Sequence, residues 1–123
     1  MNNTLSRSRT FGYVERFIEP CILLLLSKKS SHGYGLMDGL EKQCGEKVDI
    51  GNLYRTLRKM EKNGWVKSGW EKGNIGPKKR KYEITNNGRS SLKGACTNLK
   101  RTQSLINHFF AGYKKVFGKE VNI

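Results

Sequence analysis

The C-terminal third of the chain constrains its fold most. Leu92, Cys96, Leu99, Gln103, Ile106, Phe110, Tyr113 and Phe117 recur at intervals of 4, 3, 4, 3, 4, 3 and 4 residues. This is the a/d pattern of a helix that packs along a single seam, interrupted once by Gln103. Leu105, Phe109 and Val116 widen the seam. Thr85 stands ahead of the pattern as an N-cap, which predicts one helix over residues 86–117 and a short tail at 118–123. A helix of about 30 residues is about 45 Å long, and a chain of 123 residues has too small a body to cover all of it. The stripe is expected to meet a second copy, making Leu92, Cys96, Leu99, Ile106, Phe110, Tyr113 and Phe117 a homodimer interface. The competing arrangement folds the helix back on its own domain.

The remaining residues must then build one small domain, and their charge says what it faces. The chain carries 24 Lys plus Arg against 10 Asp plus Glu, a net of +14. Residues 1–50 hold 7 basic and 6 acidic groups, whereas residues 51–100 hold 13 and 3. An ordinary soluble surface intersperses both signs, so a stretch with a net of +10 is expected to be an electrostatic footprint for a polyanion.

Several classes fall away. The longest apolar run, Cys21–Leu26, is far short of the roughly 20 residues of a membrane-spanning helix, and no cleavage site follows it. A soluble, cytoplasmic protein without a membrane partner is expected. Cys21, Cys44 and Cys96 are widely spaced and form no C-x-x-C pair, so neither a disulfide framework nor a metal site is readable. They read as small reduced core residues, with a redox-sensing thiol as the other reading. No acid pair, phosphate loop or nucleophile–base constellation is present. No catalytic residue, metal or cofactor is expected, and the chain does not read as an enzyme.

Local patterns order the body. Residues 1–10 are polar and read as a flexible arm, and Phe11–Phe17 mixes aromatics with charge. Glu19-Pro20 reads as a helix start, since Pro is tolerated in the first turn, and Cys21–Ser27 as a helix buried all round. Ser31 is the expected N-cap of a second helix over His32–Gln43, with Tyr34, Leu36, Met37 and Leu40 as its apolar stripe and Gly45 as its stop. Asp49-Ile50-Gly51-Asn52 is capping chemistry again, ahead of a third helix over Gly51–Asn63. On that helix Leu53, Leu57 and Met60 share one side, with Arg55, Arg58, Lys59 and Lys62 opposite. Trp65–Glu71 and Lys78–Thr85 have strand character around a Gly/Pro connection. They predict a hairpin carrying Lys72, Lys78, Lys79, Arg80 and Lys81, with Trp65 and Trp70 as packing elements.

The order α-α-α-β-β is that of a winged helix-turn-helix. The chain is therefore expected to be mainly α with a small β-hairpin, its DNA-binding domain spanning residues 11–85. Double-stranded DNA is the matching partner, because its major groove admits one helix whose first turns meet base edges. Asn52 and Arg55 can grip bases, with Tyr54, Arg58 and Lys59 close by. Lys78, Lys79, Arg80 and Lys81 of the hairpin would follow the flanking backbone. The second-helix start, with Ser31, His32 and Tyr34, is where a phosphate can accept backbone N–H groups. Tyr34 and Tyr54 read equally well as core aromatics, and His32 as a capping residue. Charge alone would also suit non-specific nucleic-acid binding, architectural or to RNA.

Specific segments then carry a resemblance. Cys21-Ile22-Leu23-Leu24-Leu25-Leu26 followed by His32-Gly33-Tyr34-Gly35-Leu36 resembles the opening of PadR-like transcriptional regulators. Leu53-Tyr54-Arg55-Thr56-Leu57-Arg58-Lys59-Met60-Glu61 is similar to that family's recognition-helix signature. Gly76-Pro77, Arg80-Lys81-Tyr82 and Ile84-Thr85-Asn86-Asn87-Gly88 resemble its wing and the start of its last helix. These segments span residues 17–88 in the family's order, and the single last helix matches its compact branch. The resemblance implies a dimeric repressor on a pseudo-palindromic operator, released by a small aromatic or amphipathic effector near the dimer interface. Carried over by position, Tyr34, Asn52, Tyr54, Arg55 and the basic wing residues would contact DNA. Asn52 stands where Thr is frequent, which bears on base preference, and Ile50 where Pro is frequent. Phe109, Phe110 and Tyr113 are effector-pocket candidates by their chemistry alone, with dimer-core packing as their other role.

Overall fold

The computed structural model describes residues 17–71 and 79–121. The arm at 1–10, residues 11–16, Lys72 and Lys78 lie outside them. The elements are α1 (Ile18–Lys28), β1 (Ser31–His32), α2 (Gly33–Cys44), α3 (Ile50–Lys62), β2 (Val66–Glu71), β3 (Lys79–Ile84) and α4 (Asn86–Phe117). Helices α1 to α3 enclose one core, and the antiparallel hairpin β2–β3 closes it. Ile22, Leu36, Leu40, Leu53, Leu57, Met60 and Val66 are fully buried there, so every helix of the body and the first wing strand contribute.

The helix boundaries follow from local chemistry. Pro20 occupies the first turn of α1, where its missing N–H has no intrahelical acceptor to lose. Gly45 ends α2 in the left-handed conformation (φ 70°), its N–H donating to the Leu40 carbonyl. Asp49 caps α3 by accepting from the Asn52 N–H at 2.8 Å, and Gly64 (φ 79°) turns the chain out of that helix. Thr85 caps α4 by accepting from the Gly88 N–H at 3.0 Å, and its hydroxyl donates to the Gly64 carbonyl at 2.6 Å. One threonine thus fixes the corner between the end of α3, the last residue of β3 and the start of α4.

Three expectations are corrected. Ser31 does not cap α2. With His32 it forms β1, which pairs antiparallel with β3 (Ser31 opposite Tyr82, His32 opposite Lys81) and makes a three-stranded sheet of order β1-β3-β2. His32 takes the N-cap position, but its side chain makes no capping bond. Helix α1 is not buried all round. It packs against α2 and α4, and Leu24, on the side neither covers, is 56% exposed. Tyr34 does not belong to the apolar stripe of α2, since at 65% exposed it points away from Leu36 and Leu40.

The seam of α4 divides in two. Leu92 packs on the core of the body, and Leu99 and Tyr113 are half-buried. Cys96, Ile106, Phe110 and Phe117 are exposed, as are Leu105, Phe109 and Val116 beside them. The aromatic rings pair along the helix: Phe109 with Phe110 edge-on at 5.8 Å, and Tyr113 with Phe117 at 4.6 Å. The C-terminal half of α4 therefore leaves the body with its apolar stripe uncovered.

Candidate nucleic-acid interface

The outward face of α3 begins at its cap. Asp49 accepts from the Asn52 side-chain amide at 2.8 Å as well as from its backbone. The Asn52 amide oxygen in turn accepts from the Arg55 guanidinium. Leu53, Leu57 and Met60 anchor the opposite side in the core, so the Asp49–Asn52–Arg55 chain lies along the exposed first turn. Arg58 and Lys59 continue the exposed face one turn on. Lys59 reaches back to Glu19 of α1 at 3.8 Å, so its charge is partly spent inside the body.

The wing is tied to this helix by a polar relay. Arg80 Nε donates to the Ser68 hydroxyl at 3.0 Å, and that hydroxyl donates to the Glu61 carboxylate of α3 at 2.9 Å. The Arg80 guanidinium lies over the Trp70 ring, 4.8 Å from its centroid. Trp70 is thus not the packing element expected, because it is 61% exposed, whereas Trp65 is half-buried against the core. Arg80 is directed by two neighbours rather than left as a free surface cation.

His32 joins the second helix to the wing. Its Nε2–H donates to Glu71 Oε1 at 2.7 Å, and Lys81 Nζ lies 3.3 Å from Glu71 Oε2. The hydrogen bond from His32, followed by that from Lys81, holds the Glu71 carboxyl below its ordinary value. Lys81 therefore arrives at the surface already paired. No carboxylate of the described residues lies within ion-pair distance of Arg55, Arg58, Lys79 or Arg80.

Between the start of α2, the flank of α3 and the wing opens a cleft of about 390 Å³. Tyr34, Tyr54 and Trp70 line it together with Arg58, Lys79 and Arg80. Tyr82 forms part of its wall, and burial pushes its phenol above its ordinary value. Gly33 belongs here because a Cβ would sit 2.6 Å from the Tyr54 hydroxyl. Half-buried Tyr54 can reach the first turn of α2 for that reason alone.

The structure thus brings His32, Tyr34, Tyr54, Arg58, Lys79 and Arg80 around one cleft, with Asn52 and Arg55 on the adjoining helix start. Ser31 is half-buried in β1, its hydroxyl donating to the His32 carbonyl at 3.2 Å. Asp49, Trp70 and Glu71 also belong to the assembly, although the sequence alone does not mark them as site residues. Only Asp49, a cap followed by Asn three residues later, leaves a local trace. The described residues contain no cluster of three metal-ligating side chains, and none of their helices is long and apolar enough to cross a membrane.

Residues 22–94 match the model of the transcriptional regulator PadR-like family. The chain belongs to that family. The matched segment of this PadR-like chain runs from α1 through the wing into α4, so most of the exposed seam lies beyond it. A Mycobacterium tuberculosis protein named a probable transcriptional regulator, Rv1176c, is 34% identical over 73 residues, which are 58% of this chain and 39% of that protein. The PadR-like chain thus matches about two fifths of that relative's length. A transcriptional regulator from Clostridium thermocellum has a similar structure at a TM-score of 0.70 and 26% identity, over 76% of this chain and 92% of its own. Bacillus subtilis PadR, solved in complex with operator DNA, shares the fold at a TM-score of 0.61 and 21% identity, over 68% of this chain and 48% of its own. The winged helix architecture and the role of transcriptional regulator are those of the family.

Proposed function

We infer that this PadR-like regulator binds a specific DNA duplex as a homodimer, with α3 in the major groove and the wing along the flanking backbone. One observation carries the reading. Asn52 and Arg55, the residue types suited to bidentate base contacts, are linked to each other and to the Asp49 cap at the exposed start of α3. Side chains already held in a fixed geometry lose less freedom on binding. Arg58, Lys79 and Arg80, which form no direct ion pair with a carboxylate of the described residues, would supply the phosphate contacts. Tyr34, Tyr54 and the start of α2 stand beside them at the cleft. Bacillus subtilis PadR, which shares the fold, has a structure that contains operator DNA, and this supports DNA as the partner.

The exposed half of α4 would pair with its copy through Ile106, Phe110, Tyr113 and Phe117. Leu99 and Cys96 would extend the contact toward the body, which Leu92 already joins. Two reading heads related by a two-fold axis call for a pseudo-palindromic operator. Repression, with release by a small aromatic or amphipathic effector, completes the reading. Phe109, Phe110 and Tyr113 would enclose such a molecule only beside a second α4.

The test is fluorescence anisotropy on DNA fragments selected from a random library, against shuffled fragments of equal length, over a salt series. Specific binding gives a large affinity ratio that survives added salt. Equal affinities with a steep common salt slope would replace it with non-specific binding.

A further inference from the structure

The cleft between the start of α2, the flank of α3 and the wing collects two kinds of side chain. Its volume of about 390 Å³ lies within the roughly 300–1,000 Å³ of small-molecule sites. Tyr34, Tyr54 and Trp70 supply rings, and Arg58, Lys79 and Arg80 supply charge. None of these three cations forms an ion pair with a carboxylate of the described residues. No carboxylate of the described residues lines the cleft. Glu71, next to Trp70 in β2, is taken up by His32 and Lys81, and Glu61 of α3 by the Ser68 hydroxyl.

The rings do not serve the core alone. Tyr34 is exposed, and no ring of the described residues stacks on it. Trp70 is exposed too, with the Arg80 guanidinium over its ring. Tyr54 is half-buried, its hydroxyl seated against Gly33. An open ring face offers stacking to another flat π-system. Three clustered cations can compensate a doubly charged group, and a guanidinium fits the oxygens of a phosphate two at a time. The backbone of a duplex would use the cations, but its bases are stacked inside the helix and leave the rings without a flat partner. A molecule that carries both a flat ring and a terminal phosphate uses both.

We propose that this cleft binds a free nucleoside monophosphate, its base stacked on Tyr34 beside Trp70 and its phosphate held by Arg58, Lys79 and Arg80. The same cations face the DNA backbone in the function proposed above, so nucleotide and duplex exclude each other. That consequence rests on the DNA-binding reading; the site itself does not.

The test titrates the full chain, without DNA, with guanosine monophosphate in a calorimeter, and in separate runs with guanosine and with inorganic phosphate. One saturable site per chain is expected, with guanosine and phosphate each weaker by about tenfold or more. Tyr34→Ala, at an exposed position, should weaken the nucleotide about tenfold, the loss of one stacking contact. Arg58→Ala should weaken it clearly as well, whereas Lys62→Ala, at an exposed cation of the same helix outside the cleft, should leave it unchanged. Displacement of labelled selected DNA by the nucleotide, followed by anisotropy, reads the exclusion. The titration decides the site whether or not the chain binds DNA. No saturable heat, equal affinity for phosphate alone, or parent-like binding by both the Tyr34 and Arg58 variants would overturn the site. A single-stranded oligonucleotide that binds much more tightly than the monophosphate would replace it with strand recognition. Nucleotide binding that leaves bound DNA in place would overturn the exclusion.

Discussion

Gly88, in the first turn of α4, lies directly against the backbone carbonyl of Trp65. A Cβ at this position would overlap that oxygen and come within 2.8 Å of Ile84 Cγ1. The same carbonyl already accepts from the Thr85 N–H at 3.0 Å, so neither partner can retreat without breaking the corner. Gly88→Ala is expected to destabilise the chain by about 3 kcal/mol, near the upper end for overpacking. Gly94, on the same helix, faces open space, and Gly94→Ala should instead add about 0.5–1 kcal/mol. Urea unfolding of both variants checks the contrast.

Asp49 has two tasks that one substitution separates. Asp49→Ala removes the cap of α3 and should cost about 1 kcal/mol. Asp49→Ser keeps an acceptor for the backbone N–H but loses the second oxygen that holds the Asn52 amide. The Ser variant should keep most of the stability by urea unfolding, yet bind selected DNA more weakly than the parent chain.

Arg55→Ala is expected to lower affinity for selected DNA by about 1–3 kcal/mol and affinity for shuffled DNA by much less. Lys79→Ala should weaken both alike and reduce the salt slope by about one phosphate contact. Equal losses for Arg55→Ala on both DNAs would remove its base-reading role.

Glu71 gives a pH dependence of defined sign. The hydrogen bonds from His32 and Lys81 hold its folded-state pKa below the ordinary 4.5. Its contribution is therefore present above the ordinary value and is lost as pH falls through the folded value. Glu71→Gln should be the less stable protein at neutral pH, and the gap should close as the acid range below 4.5 is crossed. Thermal unfolding of both proteins at stepped pH measures it.

Phe110→Glu places a charge in the middle of the uncovered stripe of α4, where Phe110 is 45% exposed. In a single chain the change is nearly free. In a dimer it buries an unpaired carboxylate. Sedimentation should show the parent chain at twice the mass of this variant, with both equally helical.

Much of this arrangement was legible in the residues. The period of α4 and the caps at Asp49 and Thr85 are local signals, and they place the helix ends within a residue or so. The opposed faces of α3 follow from spacing alone. What escaped is what depends on partners distant in sequence. Strand β1 has two residues, too few to alternate, and exists because β3 offers an edge. Trp70 meets Arg80 across the hairpin instead of the core, and the pairing of His32 with Glu71 spans 39 positions. Leu24 and Tyr34 look like core residues by type and are not, because helical spacing does not say which neighbours a helix will have.

Strand β1 also gives the fold a mechanical property. The chain passes from it into α2 without a connecting residue, so the sheet and the second helix share one continuous backbone segment. A displacement of β3 would therefore carry the first turn of α2 with it, because no loop lies between them to absorb it.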